Sequence, residues 1–225
     1  SGSSARKLRR GAANLLGGRA IPLSLFPLVS RELGHRFDVE RALRFGTLPL
    51  SWHSEDPATF LRGYTQTYLQ EEVKSEALTR NLGGFARFLE VAARQNGQVT
   101  NVSNISRDAL VARQTVQGFF EVLIDTLMGF WLPAWKLKRA TKQATHPKFY
   151  FFDPGVARAL SERAAYPVQP EEKGFLVETL LLSELRAYLS YHRLHYPLSF
   201  WRSHDGVEVD VLFETQRGYL ALEIK

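Results

Sequence analysis

Apolar residues recur every three or four positions through the middle of the chain and then, near its end, give way to strict alternation. Leu61, Tyr64, Thr65 and Tyr68 share one face at helical spacing, and the run opens at Asp56-Pro57, a capping acid with proline at the first helical position. A helix from 57 to about 80 is predicted. From Gly84, the stripe Phe85, Phe88, Leu89, Ala92 marks a second helix, ended near Asn96-Gly97. A short helix is expected at about 102–110. A third stripe follows, Val116, Phe119, Phe120, Leu123 and Leu127, leaving Gln114, Gln117, Glu121 and Asp125 outside. Two aromatic, strand-like runs, 130–135 and 148–152, flank the basic loop 136–147. Residues 21–57, with four prolines and the turn-forming Ser54-Glu55-Asp56-Pro57, read instead as an irregular linker.

Helix, short helix, turn, longer helix, then strand, basic loop and strand is the order of a winged helix-turn-helix. In that arrangement the third helix enters a DNA major groove while the wing touches phosphates. Arg113 at the start of the third helix and Lys136, Lys138, Arg139 and Lys142 in the wing are the candidate nucleic-acid contacts. The rest of the third helix offers glutamine and acid, not arginine and lysine. The plainer reading is a protein-interaction module or rigid spacer whose wing lysines only solubilise a loop.

The chemistry gathers in the last fifty residues. On a helix expected over 174–191, Glu178 shares a stripe with Leu181, Leu182, Leu185 and Leu189, whereas Glu184 is rotated about 120° away. A carboxylate on an inward face costs several kcal/mol, roughly, without a partner, a proton or a metal. His192 and His195, at the end of this helix, read as surface residues. Strands are expected at 198–202, 207–214 and 219–225. Closing the last two with a four-residue loop pairs Glu214 with Tyr219, Phe213 with Leu220, Val211 with Leu222 and Val209 with Ile224, so one face is wholly apolar. The other face then sets Asp210 opposite Glu223 and Glu208 opposite Lys225. Two carboxylates about 5 Å apart repel. A divalent cation, Mg²⁺ or Mn²⁺ for oxygen ligands, removes the conflict, and Lys225 would orient water or stabilise a phosphoryl charge. The plainer alternative is a Glu208–Lys225 ion pair with Asp210 solvated.

Composition narrows these choices. The 225 residues contain no cysteine, which excludes disulfide scaffolds, cysteine-ligated zinc and thiol nucleophiles and fits a reducing compartment. The longest apolar window, 118–135, holds Glu121 and Asp125, so no transmembrane helix is expected. Net charge is +6, of which Arg6, Lys7, Arg9, Arg10 and Arg19 supply +5 within residues 1–20. That Arg- and Ser-rich start reads as a transit peptide, a cloning remnant or, preferably, a piece of a nucleotide-handling domain, and both ends look cut. No G-x-x-x-x-G-K-[ST] loop occurs, so ATP binding by this chain alone is not expected.

Glu178, Asp210 and Glu223-Ile224-Lys225 together resemble the PD-(D/E)XK nuclease-like (restriction-endonuclease-like) fold, with Val209 in place of the proline of the name. By that resemblance Asp210 and Glu223 hold the metal, Glu178 completes its shell and Lys225 positions the attacking water. The whole chain resembles the carboxy-terminal half of a prokaryotic AAA+-type ATPase family. The resembling stretches are Gly2-Ser-Ser-Ala-Arg-Lys-Leu, Asn14-Leu-Leu-Gly-Gly-Arg19-Ala, Tyr68-Leu-Gln-Glu-Glu-Val, Pro147-Lys-Phe-Tyr-Phe-Phe-Asp153-Pro-Gly, Phe200-Trp-Arg and Gly206-Val-Glu-Val-Asp210. The resemblance places Ser3 near a sensor-1 strand end and Arg19 where a neighbouring subunit's γ-phosphate would be reached. It implies a mixed α/β (α+β) chain: an ATPase remnant at 1–46, a helical segment with winged helix at 47–165, and a truncated nuclease-like domain at 166–225. The implied partners are DNA, the parent's own AAA+ domain and further copies of the chain, with ATP used only by the full-length parent. No membrane partner and a cytoplasmic location are expected.

Overall fold

The computed structural model describes residues 23–67, 80–135, 146–203 and 205–224, and is mixed α/β. The proline-rich stretch taken as an irregular linker is instead folded into short helices: α1 (Ser30–Leu33), α2 (Val39–Phe45) and α3 (Pro49–His53). Each is too short to display a helical period, and isolated helices of this length do not form in water. Tertiary burial holds them: Leu33, Ala42, Leu43 and Trp52 pack with Leu176 and Leu180 in a core of their own. Asp38 caps α2 by accepting the Arg41 N–H at 2.6 Å.

Helix α4 (Pro57–Thr67) starts at the expected proline and buries Leu61 and Thr65. The rest of the helix expected to residue 80 lies outside the described residues. Helices α5 (Leu82–Arg94), α6 (Val102–Asp108) and α7 (Arg113–Asp125) follow the predicted order, with Asn81 and Asn101 capping the first two. The hairpin β1 (Gly129–Leu132) and β2 (Lys148–Phe151) pairs Gly129 with Phe151 and Leu132 with Lys148. The segment between α5 and α6 touches the hairpin through an isolated bridge: Val99 bridges Lys148, and the N–H groups of Gly97 and Thr100 donate to the carbonyls of Phe149 and Pro147, each at 2.9 Å. Three helices followed by a two-stranded hairpin is the element order expected of a winged helix-turn-helix. One expectation fails here: Leu127 is off the stripe of α7. It lies past the helix end at φ 62 and is exposed, while Met128 enters the core.

Helix α8 (Pro154–Leu160), which no stripe announced, follows β2 directly. Helix α9 (Pro170–Tyr191) begins one turn before the predicted Gly174, because Pro170 serves as first helical residue and Glu172 accepts the Gln169 N–H at 2.9 Å. Leu182 and Leu189 face inward, but Leu181 is 37% exposed and leaves the stripe. Strands β3 (Ser199–Arg202), β4 (Glu208–Thr215) and β5 (Gly218–Leu222) form an antiparallel sheet in that order. The predicted register holds for Val211–Leu222, Leu212–Ala221, Phe213–Leu220 and Glu214–Tyr219, and one further pair, Thr215–Gly218, tightens the turn to Gln216-Arg217.

The β1–β2 hairpin is the wall between two cores, and the pleat of its strands decides which residue serves which side. Phe149 and Phe151 join Phe85, Phe88, Phe119 and Phe120 on the winged-helix side. Phe130, Leu132 and Tyr150 join Leu182, Phe200, Val211 and Phe213 on the other. No helix among the described residues is long and apolar enough to cross a membrane.

Candidate functional site

Alternation in β2 that sends Tyr150 toward α9 and β4 sends Lys148 there as well. The Lys148 side chain is only 4% exposed; its ammonium pairs with Glu208, lies 3.3 Å from Glu178 Oε2 and sits 5.4 Å from the centre of the Phe200 ring. Tyr150 donates its hydroxyl to the same Glu178 oxygen at 2.5 Å. Arg202 stands 3.7 Å from the second oxygen of Glu208. Three segments far apart in sequence therefore meet at one ammonium.

Electrostatics match this geometry. Burial pushes the Glu178 carboxyl up, Lys148 and the Tyr150 hydrogen bond pull it down, and the nearby Asp210 charge raises it again. The Tyr150 hydroxyl is driven far above its ordinary range, first by burial and then by the charge of Glu178, so it remains a proton donor across the working pH range. Asp210 is close enough for its charge to act on both groups. Its Oδ2 accepts the Ile224 N–H at 2.8 Å.

Of the residues singled out in the sequence, Glu178 and Asp210 come together. Glu223 directly follows β5 and is exposed; the ladder ends at Val211–Leu222, and the Ile224 N–H, not a Glu223–Asp210 strand pair, continues the contact. Lys225 lies outside the described residues. The ion pair weighed for Glu208 forms, but with Lys148. Lys148 is not among the candidate residues of the sequence. Its neighbours gave the missed signal: it shares the parity of Tyr150 in a run, Lys148–Phe151, whose four residues are all buried. Glu184, expected to face away, is half-buried and accepts both the N–H (2.5 Å) and hydroxyl (3.1 Å) of Ser30.

As arranged among the described residues, these carboxylates are engaged rather than open. Glu178 and Glu208 face an ammonium and Asp210 an N–H, and no three His, Asp or Glu side chains are disposed to hold a metal ion. Asp210 and Glu178 would fit a divalent cation only with Lys148 withdrawn.

The second candidate surface is the outward edge of α7, where Arg113, Gln114, Gln117 and Glu121 are all exposed. Lys136, Lys138, Arg139 and Lys142 of the wing, and Ser3 and Arg19, lie outside the described residues. His192 and His195 are exposed, as expected.

Residues 173–225, from α9 onward, match a domain of unknown function (DUF4143), of a kind typically found at the carboxy-terminus of AAA-ATPase-like proteins. No curated protein and no solved structure matches the chain. The model of a second domain of unknown function (DUF8612) matches residues 36–166. Lys148 and Tyr150 fall within that stretch and their carboxylate partners within the other, so the cluster joins the two. With more than half of its length matched by that model, the chain belongs to the DUF8612 family.

Proposed function

We propose that the chain is the carboxy-terminal part of a prokaryotic AAA+-type ATPase and associates with duplex DNA through its winged helix. The observation that carries this reading is the exposed edge of α7, where Arg113, Gln114 and Gln117 stand clear of every core at the position from which such a helix enters the major groove. Glutamine pairs bidentately with adenine and arginine with guanine or phosphate. Ser103, Asn104 and Arg107 of α6 are exposed beside it and suit phosphate contacts. Lys136, Lys138, Arg139 and Lys142 supply further backbone contacts. ATP belongs to the parent, whose own AAA+ domain and further copies of the chain are partners in a cytoplasmic setting.

Anisotropy of a labelled duplex should report binding that weakens steeply with salt. Arg113→Ala should weaken it about tenfold, and alanine at the four wing cations should flatten the salt dependence. Absence of binding at low salt, or no effect of either change, refutes the reading.

For the α/β unit behind the winged helix, Lys148 favours a regulatory or interaction role over metal-dependent phosphodiester cleavage, because its ammonium engages Glu178 and Glu208. Cleavage is supported instead by the approach of Asp210 to Glu178, with Asp210 and Glu223 as the ligands of Mg²⁺ or Mn²⁺. Plasmid nicking with either metal, comparing wild type with Asp210→Ala, separates the two. Activity lost in the variant supports chemistry; equal activity or none supports the interaction role.

A further inference from the structure

A cavity of about 830 Å³ opens beside the carboxy-terminal end of α9, walled by Phe26, Phe130, Leu189 and Tyr196 and lined also by Arg186 and Arg193. That volume lies within the range of small-molecule sites, roughly 300–1,000 Å³, whose walls are likewise mostly apolar with a few polar groups. Its titratable lining is Arg186, Arg193, His195 and the Tyr196 phenol; no acid contributes.

Arg186 is the unusual member. Its guanidinium lies 3.8 Å from the centre of the Phe130 ring and 5.6 Å from that of Phe26. It makes no hydrogen bond and no ion pair among the described residues, and the neighbouring Glu184 is turned to Ser30. Loss of water around it pulls its pKa down to about 10. The same fold treats another sunken arginine quite differently: Arg158, 1% exposed, is met by both oxygens of Glu172 and by the carbonyls of Arg44, Tyr166 and Pro167. Ring faces offset part of the desolvation of a cation but supply no hydrogen-bond acceptor for a five-donor group. An arginine kept charged, half-buried and without an anion in an acid-free apolar cavity is a site prepared for an anion from outside.

We propose that this cavity binds a small amphipathic carboxylate, its head paired with Arg186 and its apolar body lying along Phe26, Leu189 and Tyr196. The planar fork of the guanidinium matches a carboxylate with two parallel hydrogen bonds. Arg193 and His195, both exposed, add attraction at the mouth.

The aromatic sulfonate 8-anilinonaphthalene-1-sulfonate serves as a fluorescent reporter on the full chain, with decanoate, decanol and a DNA duplex as competitors. The reporter should bind saturably with one site per chain, and decanoate should displace it at least tenfold better than decanol. Arg186→Met should abolish that preference and, by removing an unpaired charge from an apolar site, should raise the melting temperature of the free protein. Ser190→Trp, which keeps Arg186 but fills the cavity, should abolish reporter binding with the secondary structure intact by circular dichroism. Equal displacement by decanol, displacement by the duplex but not by decanoate, or an unchanged preference in Arg186→Met overturns the proposal. The preference for decanoate over decanol depends on neither nicking nor duplex affinity, so that result stands apart from the function proposed above.

Discussion

Asp153 is fully buried, and its two oxygens serve different elements. Oδ1 accepts the Val156 N–H at 3.0 Å and caps α8, while Oδ2 accepts the Thr47 N–H at 2.8 Å and anchors the turn between α2 and α3. Burial pushes its pKa up to about 6, against the pull of these backbone donors. The native state then holds this proton more tightly than the unfolded chain, where the value is about 3.9. Fewer protons are bound on unfolding, so this group makes stability fall as pH rises from about 4 through about 6, levelling off roughly a unit above. Asp153→Asn cannot titrate and should lose that slope, measured as the difference between variant and wild type in urea unfolding at a series of pH values. Identical pH profiles for the two proteins would refute the assignment. The second oxygen's task has no local signal, because Thr47 is 106 residues away.

At the scale of elements, length decided most of what could be read. Helices α5 and α7 span thirteen residues each, enough for three or four apolar positions to declare a face. Helices α1, α2, α3 and α8 have four to seven residues and no apolar stripe announces them, whereas α6, also of seven residues, is expected from the sequence. The α2–α8 contact shows how closely two of these short helices pack. A methyl group placed on Gly155 would collide with the backbone of Phe45 and Gly46, atoms that cannot rotate away. Gly155→Ala should therefore destabilise the fold by about 3 kcal/mol, at the upper end of overpacking costs, and lower the denaturant midpoint. A midpoint unchanged from wild type would mean that α2 and α8 do not meet there.

For the whole molecule, the β1–β2 hairpin couples the winged helix to the α/β unit, and Lys148 is its polar fastening. Lys148→Met would leave Glu178 without a cation and Glu208 with only Arg202, 3.7 Å away. Removing one partner of a buried pair costs about 3–5 kcal/mol, and the partial exposure of Glu208 places the expected loss near the lower value, about 3 kcal/mol. The loss should shrink at acid pH, because Glu178, already pushed up by burial, then takes a proton and its unpaired charge is gone. A double-mutant cycle of Lys148→Met with Glu178→Gln should give a coupling of more than about 1 kcal/mol. Strict additivity would show that the two side chains act independently.

What the chain's own pattern determined was whatever depends on near neighbours: the order of the longer helices and the strands, the cap at Asp56, and the register of β4 on β5, where a slip of one residue would turn Val211 and Phe213 to solvent. Tertiary structure alone decided which cation meets which acid. Glu178 lies 30 residues from Lys148, and only the packing of α9 and β4 against the hairpin brings Glu178 and Glu208 to it. The same holds for Arg186, whose lack of an anion among the described residues depends on several segments at once and so cannot be written in any one of them.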